Sequence, residues 1–233
     1  MLKKLFKKII IKILRFEAKL ILARFKPKII AISGTVGKTS SKEAIALVLG
    51  SEFNFRKSEK SYNGEFGVPL TIIGAKTGWN SLSKWLGVIF KGFKVFLLDM
   101  DYPEYLILEM GVDMPCDMER MMAWIKPDIG VITAFGSVPV HVEQFEEPED
   151  LMKEKWKLIE NLKDDDIAVL NNDDKTIVSY GKKLKIKTAT FGFFESADIC
   201  ASNYKINSDG IVFKISYGGS IAPVKLNMVF GRQ

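Results

Sequence analysis

The sequence predicts an α/β fold in which a parallel β-sheet carries helices on both faces, with an N-terminal amphipathic helix and a small C-terminal antiparallel β unit. Three observations predict it. Apolar, β-prone runs alternate with segments of helical period from residue 28 onward, as in βαβ units. The first of these runs leads through a glycine-rich turn into a helix. From about residue 186 the apolar period becomes two, and the segment 207–210 (Asn-Ser-Asp-Gly) predicts a hairpin turn.

Composition limits the class of protein. The 233 residues, 47% of them apolar, are enough for one sizeable α/β domain with small additions. The formal net charge is +6, but residues 1–28 hold ten Lys and Arg against one acid, Glu17, while the rest of the chain has 24 basic and 27 acidic residues. The basic excess therefore belongs to the N-terminal segment and gives no support to a nucleic-acid-binding surface on the main domain. Cys116 and Cys200 have neither metal-site nor disulfide spacing, which is typical of a cytoplasmic protein.

Residues 1–26 are predicted to form a basic amphipathic helix. Basic side chains recur every three or four residues from Lys4 to Lys19, and apolar side chains recur out of phase with them from Leu5 to Leu20. The apolar runs are far shorter than the ~20 residues that span a bilayer, and the segment lacks the apolar core and cleavage site of a signal peptide. Two interpretations stay open: the helix lies on an anionic membrane surface, or it docks against the body of this protein or another domain.

The main domain is predicted over residues 27–192, and a small antiparallel β subdomain of it over 193–233. Pro27 ends the first helix. The elements predicted after it are strand 28–32, helix 39–49, a short strand near 51–58, a helix near 68, a helix within 81–99, strand 105–111, helix 116–126, strand 128–136, helix 148–161, a strand from 167 and a helix within 176–184. This alternation implies a parallel sheet with helices on both faces.

The turn after the first strand is predicted to bind phosphate as a P-loop. Residues 29–43 read IIAISGTVGKTSSKE, so strand, turn and helix start aim backbone N–H groups and the positive end of a helix dipole at one point. Lys38 offers a charge to the β- and γ-phosphates, and Thr39 offers a hydroxyl to Mg²⁺. The spacing is shorter than the standard P-loop, because Ile32 stands where its first glycine would be. The alternative is a Gly-Lys-Thr sequence that simply opens a helix.

Two further candidates lie at strand ends, where open α/β sheets bind ligands. Glu109 closes a buried apolar run and could point a carboxylate at the phosphates, or it could be an ordinary acid in solvent. His141 is the only histidine and lies in the loop after strand 128–136. A lone loop histidine is usually a surface residue, and Mg²⁺ prefers oxygen donors.

Six motifs in one order resemble the central ATPase domain of the Mur ligases. They are GTVGKTSSKE, YNGEFGVPLT, LILEMG, KPDIGVITAFG followed by His141 and Phe145, a lysine-bearing helix, and IAVLNNDD. The resemblance covers roughly residues 28–192, and the β unit up to Arg232 resembles the end of that domain. It is strongest to the members that add D-alanyl-D-alanine to the peptidoglycan precursor peptide.

The resemblance implies roles for individual residues. The residues that match the family's nucleotide-binding loop are Gly34, Thr35, Gly37, Lys38, Thr39 and Ser40. In the family the loop lysine contacts the γ-phosphate and the threonine contacts Mg²⁺. Glu109 matches the acid that holds magnesium, and His141 matches the histidine at a second magnesium.

Three more positions match with less support from the residues themselves. Lys155 falls where the family has a lysine that CO₂ carbamylates to a bridging carboxylate, although by itself it reads as part of a solvated helix face. Asn171 matches a residue near the adenine, although its Asn-Asn-Asp-Asp run is equally a plain turn. Asn63 matches one member of an asparagine pair in the substrate loop, and Gly64 departs from that pair.

The implied reaction is ATP-dependent amide formation through an acyl phosphate, so the resemblance implies an enzyme. Its expected location is the cytoplasm, either free or peripheral at the inner membrane surface. Its implied ligands are ATP with Mg²⁺, a UDP-linked muramoyl peptide and a D-amino-acid dipeptide. Family members also carry N- and C-terminal domains that have no counterpart here, so the chain is expected to be a fragment or one half of a split enzyme. Two alternatives stay open: a related ligase, as in folylpolyglutamate or cyanophycin synthesis, and a membrane-recruited P-loop NTPase or binding module without ligation chemistry.

Overall fold

The structure is a computed structural model that describes residues 2–59, 62–79, 81–136 and 144–227, without the side chains of residues 2–5. The helices are α1 (Leu2–Phe25), α2 (Lys38–Leu49), α3 (Gly67–Ile73), α4 (Leu82–Leu98), α5 (Asp117–Met122), α6 (Pro148–Glu160) and α7 (Lys175–Gly181). The strands are β1 (Lys28–Ser33), β2 (Phe55–Lys57), β3 (Tyr105–Glu109), β4 (Ile129–Ile132), β5 (Ile167–Asn171), β6 (Lys187–Gly192), β7 (Ile199–Asn207), β8 (Gly210–Tyr217) and β9 (Ser220–Asn227).

The described strands form one nine-stranded sheet in the order β2-β3-β1-β4-β5-β6-β7-β8-β9. Every pairing from β2 to β7 is parallel, and β7, β8 and β9 pair antiparallel. The predicted fold class is therefore confirmed. The predicted turn joins β7 to β8, where Asn207 pairs with Gly210.

The antiparallel part begins later than the change of period near residue 186 suggests. Strand β6 pairs in parallel with β5, and Phe191 at its end pairs in parallel with Ile199 of β7. An alternating pattern marks a half-buried strand but carries no information on its direction. Here the direction of β6 follows from the crossover through α7, since a helical crossover returns the chain parallel to its starting strand. The domain boundary at 192/193 stays a prediction.

Side chains of β1 alternate between two cores, one on each face of the sheet. Ile30 and Ile32 pack with Ala46 of α2 on one face. Ile29 and Ala31 belong to the larger core on the other face, to which α1, α3, α4, α5, α6 and α7 contribute buried side chains. Because successive strand residues point to opposite faces, one apolar strand can hold both layers.

Helix α1 packs on the protein through one side only. Ile10, Leu14, Ala18 and Ile21 are buried at 4% exposure or less, next to α3 and α4. Their spacing of three or four residues places them on one stripe of the helix. Through this stripe α1 docks against the body of the protein, which is one of the two interpretations of the sequence. Phe16, on another side of α1, is 56% exposed.

Candidate functional site

The candidate site lies where β3, β1, β4 and β5 end, because these strands are neighbours in the parallel part of the sheet. Their C-terminal ends reach one edge, so the loops that follow them converge. These loops bring together the glycine-rich turn, the segment after Glu109, the segment after Ile132 and the turn at Asn171. Local sequence fixes each loop, but only the strand order makes them neighbours.

The glycine-rich turn rests on the end of β4. Gly34 has φ of 140°, and a Cβ at this position would overlap the Thr133 hydroxyl. The Thr35 N–H donates to the Ala134 carbonyl at 2.6 Å. Gly37 has φ of 83° and caps α2 in the left-handed conformation. Glycine is thus required at both positions. At Gly34 a side chain would both overlap Thr133 and strain the backbone, and at Gly37 the left-handed backbone conformation favours glycine.

Lys38, the first residue of α2, turns back over the loop. Its Nζ donates to the Gly34 carbonyl at 2.9 Å and to the Thr35 carbonyl at 3.2 Å. Burial lowers the pKa of the Lys38 ammonium, and the negative charges of Glu109 and Asp113 oppose that lowering. The ammonium therefore lies within the field of two carboxylates at the mouth of the loop.

Thr39 and Glu109 offer oxygen atoms suited to Mg²⁺. The Thr39 hydroxyl lies 3.1 and 3.3 Å from the two Glu109 carboxylate oxygens, and Glu109 is 6% exposed. Lys42, whose side chain is 1% exposed, places its Nζ 3.4 Å from Glu109 Oε2 and neutralises the carboxylate. Hydroxyl and carboxylate oxygens, completed by water and phosphate oxygens, are the usual surroundings of Mg²⁺, so these residues fit the metal. No cluster of three or more His, Cys, Asp or Glu that could hold a metal ion occurs among the described residues.

Lys155 of α6 reaches the glycine-rich turn from the other side. It is 3% exposed, and its Nζ donates to the Thr35 hydroxyl at 3.2 Å. Burial and, to a smaller extent, the charge of Lys38 lower the pKa of the Lys155 ammonium to about 8, against the opposing effect of the Asp113 charge. Lys155 is therefore not part of a solvated helix face. A buried amine with a lowered pKa is a reactive group in its neutral form.

Asn171 and Ser40 line an adjoining cleft of about 710 Å³. The Asn171 side chain is held in place, since its Nδ2 donates to the Thr133 carbonyl at 2.6 Å and its Oδ1 accepts from the Asp173 N–H at 2.8 Å. Aromatic side chains of β6–β8 and their loops close the far wall, among them Phe193. The cleft thus joins the glycine-rich turn to an apolar wall of the C-terminal strands.

Asn63 lies beside the residues that follow Glu109. The Gly111 N–H donates to the Asn63 carbonyl at 2.6 Å, and a Cβ on Gly111 would lie 2.9 Å from Asn63 Nδ2. The structure therefore brings Asn63 to the same edge of the sheet as the predicted metal residues. His141 lies outside the described residues.

A protein-family model described as the Mur ligase middle domain matches residues 32–232. The chain belongs to the Mur ligase family. It is 28% identical over 179 residues to the UDP-N-acetylmuramoyl-tripeptide–D-alanyl-D-alanine ligase of Rickettsia prowazekii, an alignment that covers 76% of this chain and 34% of the relative. The ligase of the same name from Bacillus subtilis is 23% identical over 198 residues, with 85% and 37% covered.

The fold of this Mur ligase middle domain also matches a solved relative. The MurF ligase of Thermotoga maritima, solved in complex with ADP, superimposes with a TM-score of 0.73 at 24% identity, covering 93% of this chain and 44% of that one. The chain therefore spans about a third of the length of these curated relatives and under half of the solved one.

Two residues of this Mur ligase site are not among the sequence-predicted set. Lys42 has a detectable signal, because it stands one helical turn after Lys38 and so shares its side of α2. Thr133 ends an apolar strand, and its hydroxyl donates to the Val36 carbonyl at 2.6 Å. Its importance follows from the pairing of β1 with β4, which the local sequence does not specify.

Proposed function

We propose that this chain is the ATP-binding middle module of a ligase that joins D-alanyl-D-alanine to a UDP-linked muramoyl tripeptide in the cytoplasm. The observation that carries the proposal is the position of Lys155, buried against the glycine-rich turn of a Mur ligase middle domain. The names of the relatives from Rickettsia and Bacillus support the choice of substrates.

The reaction requires little covalent chemistry from the protein. The substrate carboxylate attacks the γ-phosphorus of ATP, ADP leaves, and the amine of the dipeptide then displaces phosphate from the acyl phosphate to form the amide. Such a transfer depends on positioning and on neutralising charge. Lys38 exchanges its two loop carbonyls for phosphate oxygens, and the backbone N–H groups of Gly37 and Lys38 face the anion at the start of α2.

Thr39 and Glu109 hold Mg²⁺ in this proposal, and the metal when bound neutralises phosphate charge. Lys42 keeps the Glu109 carboxylate in place through the 3.4 Å ion pair. Asn171 and Ser40 line the cleft that takes the nucleoside in this proposal, and the Asn171 amide positions the turn beside it. Asn63, at the same edge of the sheet, contacts the peptide substrate. By its family match, His141 would hold a second Mg²⁺.

Lys155 becomes a metal ligand only if its charge is inverted. The neutral amine attacks CO₂, forms a carbamate and releases one proton, so an ammonium becomes a carboxylate-like group. The environment suits this step, because a pKa of about 8 leaves an appreciable neutral fraction near pH 7.5. The neighbouring positive charge of Lys38 stabilises the product anion.

The carbamate is tested directly with ¹³C-bicarbonate. The unmodified chain should give a ¹³C carbamate resonance that disappears in Lys155→Met. Lys153→Met is the matched control, because Lys153 lies on the same helix with its side chain 63% exposed. A carbamate signal that persists in Lys155→Met, or no signal at all with Mg²⁺ and ADP present, would refute the role of Lys155.

Phosphate release and amide formation by this chain alone test the ligase assignment. Release from ATP should stay very slow even when the UDP-linked muramoyl tripeptide is added, because a middle module of about a third of its relatives' length does not by itself enclose the nucleotide or deliver the amine. Rapid release that does not depend on the peptide would instead favour a P-loop NTPase, and rapid amide formation would refute the middle-module assignment.

A further inference from the structure

Helices α1 and α4 lie side by side and run in the same direction. A Cβ on Gly92 of α4 would overlap the carboxylate of Glu17 of α1, so the two helices touch there. Seven residues further along α1, the Arg24 guanidinium lies 6.0 Å from the ring centroid of Phe96 and donates to the Asp99 carbonyl at 3.3 Å. These contacts define a seam between the two helices on the protein surface.

Helix α4 exposes a stripe of large apolar side chains. Its buried side consists of Trp85, Val88, Gly92 and Val95. A second stripe recurs every three or four residues on the adjoining side, and its members are 42–72% exposed: Leu82, Leu86, Phe90, Phe93 and Leu97. Side chains at this spacing share one helix side. A contiguous stripe of this kind indicates a contact surface, unlike single exposed apolar residues.

Helix α1 continues this stripe across the seam. Phe6, Ile9 and Phe16 are 37–56% exposed and lie on one side of the helix, adjacent to Glu17 at the seam. On both helices the exposed apolar stripe is the side of the helix next to the seam. The two stripes therefore meet along the seam. We call the surface formed by Phe6, Ile9, Phe16, Leu82, Leu86, Phe90, Phe93 and Leu97 the α1–α4 apolar face.

Lysines border the α1–α4 apolar face on both outer edges. On a helical wheel four exposed lysines lie beyond the apolar stripe, on the side away from the seam: Lys8, Lys12 and Lys19 on α1, and Lys94 on α4. Lys84 and Lys91 lie further round α4, and the Lys91 ammonium donates to the Gly74 carbonyl. The one acid within the two helices is Glu17, which is buried at 1% exposure. The exposed surface of the helix pair is therefore apolar in the middle, cationic at both borders and free of negative charge.

We propose that the α1–α4 apolar face lies on an anionic phospholipid surface, with its apolar side chains at the acyl boundary and its lysines among the headgroups. Lysine stems can lie along apolar surface while the ammonium reaches the phosphates. A protein partner is less well matched, because lysine is depleted from protein interfaces. Within the described residues no helix is long and apolar enough to cross a membrane, so the contact is peripheral.

Vesicle co-sedimentation of the full 233-residue chain tests this proposal, independently of the ligase assignment. The chain should bind vesicles of phosphatidylcholine with phosphatidylglycerol, bind vesicles of phosphatidylcholine alone far more weakly, and dissociate as salt is raised. The double variant Leu86→Gln/Phe90→Gln should weaken binding roughly tenfold or more. The matched control is Leu47→Gln/Val48→Gln on α2, with exposures of 75% and 72%, on the opposite face of the sheet.

A second pair of variants tests the border separately. Lys12→Gln/Lys94→Gln, one lysine from each outer edge, should lower affinity for the anionic vesicles and reduce its salt dependence, with an unchanged circular dichroism spectrum. Equal binding to both vesicle types, or control variants that weaken binding as much as the α4 variants, would overturn the proposal. It would also be overturned if the chain ignores vesicles but forms dimers that Leu86→Gln/Phe90→Gln dissociates, since the face would then be a protein interface.

Discussion

Replacing Glu17 by Met should remove a pH-dependent loss of stability. Both carboxylate oxygens of Glu17 are buried and have no hydrogen-bond partner in the described structure, and the residue is 1% exposed. Burial raises the pKa of the Glu17 carboxyl from 4.5 to about 7. The charged form is therefore unfavourable in the folded state, where the carboxylate lies against the uncharged backbone of Gly92.

The sign of the effect follows from proton binding. Below the unfolded pKa both states hold the proton, so Glu17 has no pH-dependent effect on stability. Between 4.5 and about 7 the folded state keeps a proton that the unfolded state has lost, so the free energy of unfolding falls as pH rises. Above the folded pKa the loss is complete and amounts to up to about 3 kcal/mol, at 1.36 kcal/mol per pKa unit.

The measurement is urea unfolding of both proteins over a pH series, followed by circular dichroism. The stability advantage of Glu17→Met over the unmodified chain should grow by up to about 3 kcal/mol from acid pH to pH 8. Glu52→Gln, at an exposed position, controls for the removal of one negative charge. If the difference in free energy of unfolding between Glu17→Met and the unmodified chain does not change with pH, the carboxyl is solvated and α1 does not pack on α4 as described.

Three further predictions concern the nucleotide site. ATP with Mg²⁺ should raise the melting temperature, and Lys38→Ala should remove most of that rise, whereas an equal rise in the variant would exclude Lys38 from the site. Gly34→Ala should destabilise the chain by about 1–3 kcal/mol in urea unfolding, because of its φ of 140° and the overlap with Thr133, and unchanged stability would contradict that geometry. Lys42→Met should cost about 3–5 kcal/mol by leaving the Glu109 carboxylate buried without its cation, while Lys42→Arg should cost less.

Sequence reasoning predicted the parallel sheet and the glycine-rich turn because both depend on local patterns. A buried strand needs a continuous apolar run, and the turn needs glycine at two positions with positive φ. The later start of the antiparallel part was not predictable in the same way. The pattern of Lys187–Gly192 is compatible with either strand direction, and only its neighbours β5 and β7 select one.

Lys155 shows where family resemblance was needed. Because Lys155 stands beside two other lysines of α6, the local sequence predicts a solvated surface. Nothing in the neighbouring residues indicates that its side chain is buried, with 3% exposure. Its burial is set by the packing of α6 against the turn at Thr35, 120 residues away in the chain. The motif order predicted the position, and the structure supplies its burial and its proximity to Lys38.

The sequence by itself determined the elements, the glycine-rich turn and the basic character of α1, because periodicity, glycine positions and charge are properties of neighbouring residues. Only the tertiary structure decided which side of α1 is buried and which apolar residues of α4 stay exposed. Both helices carry apolar side chains over more than one side, so amphipathicity alone cannot assign the inner side. The choice is made by long-range packing: the stripe that matches α3 and the sheet is buried, and the other stripe remains at the surface.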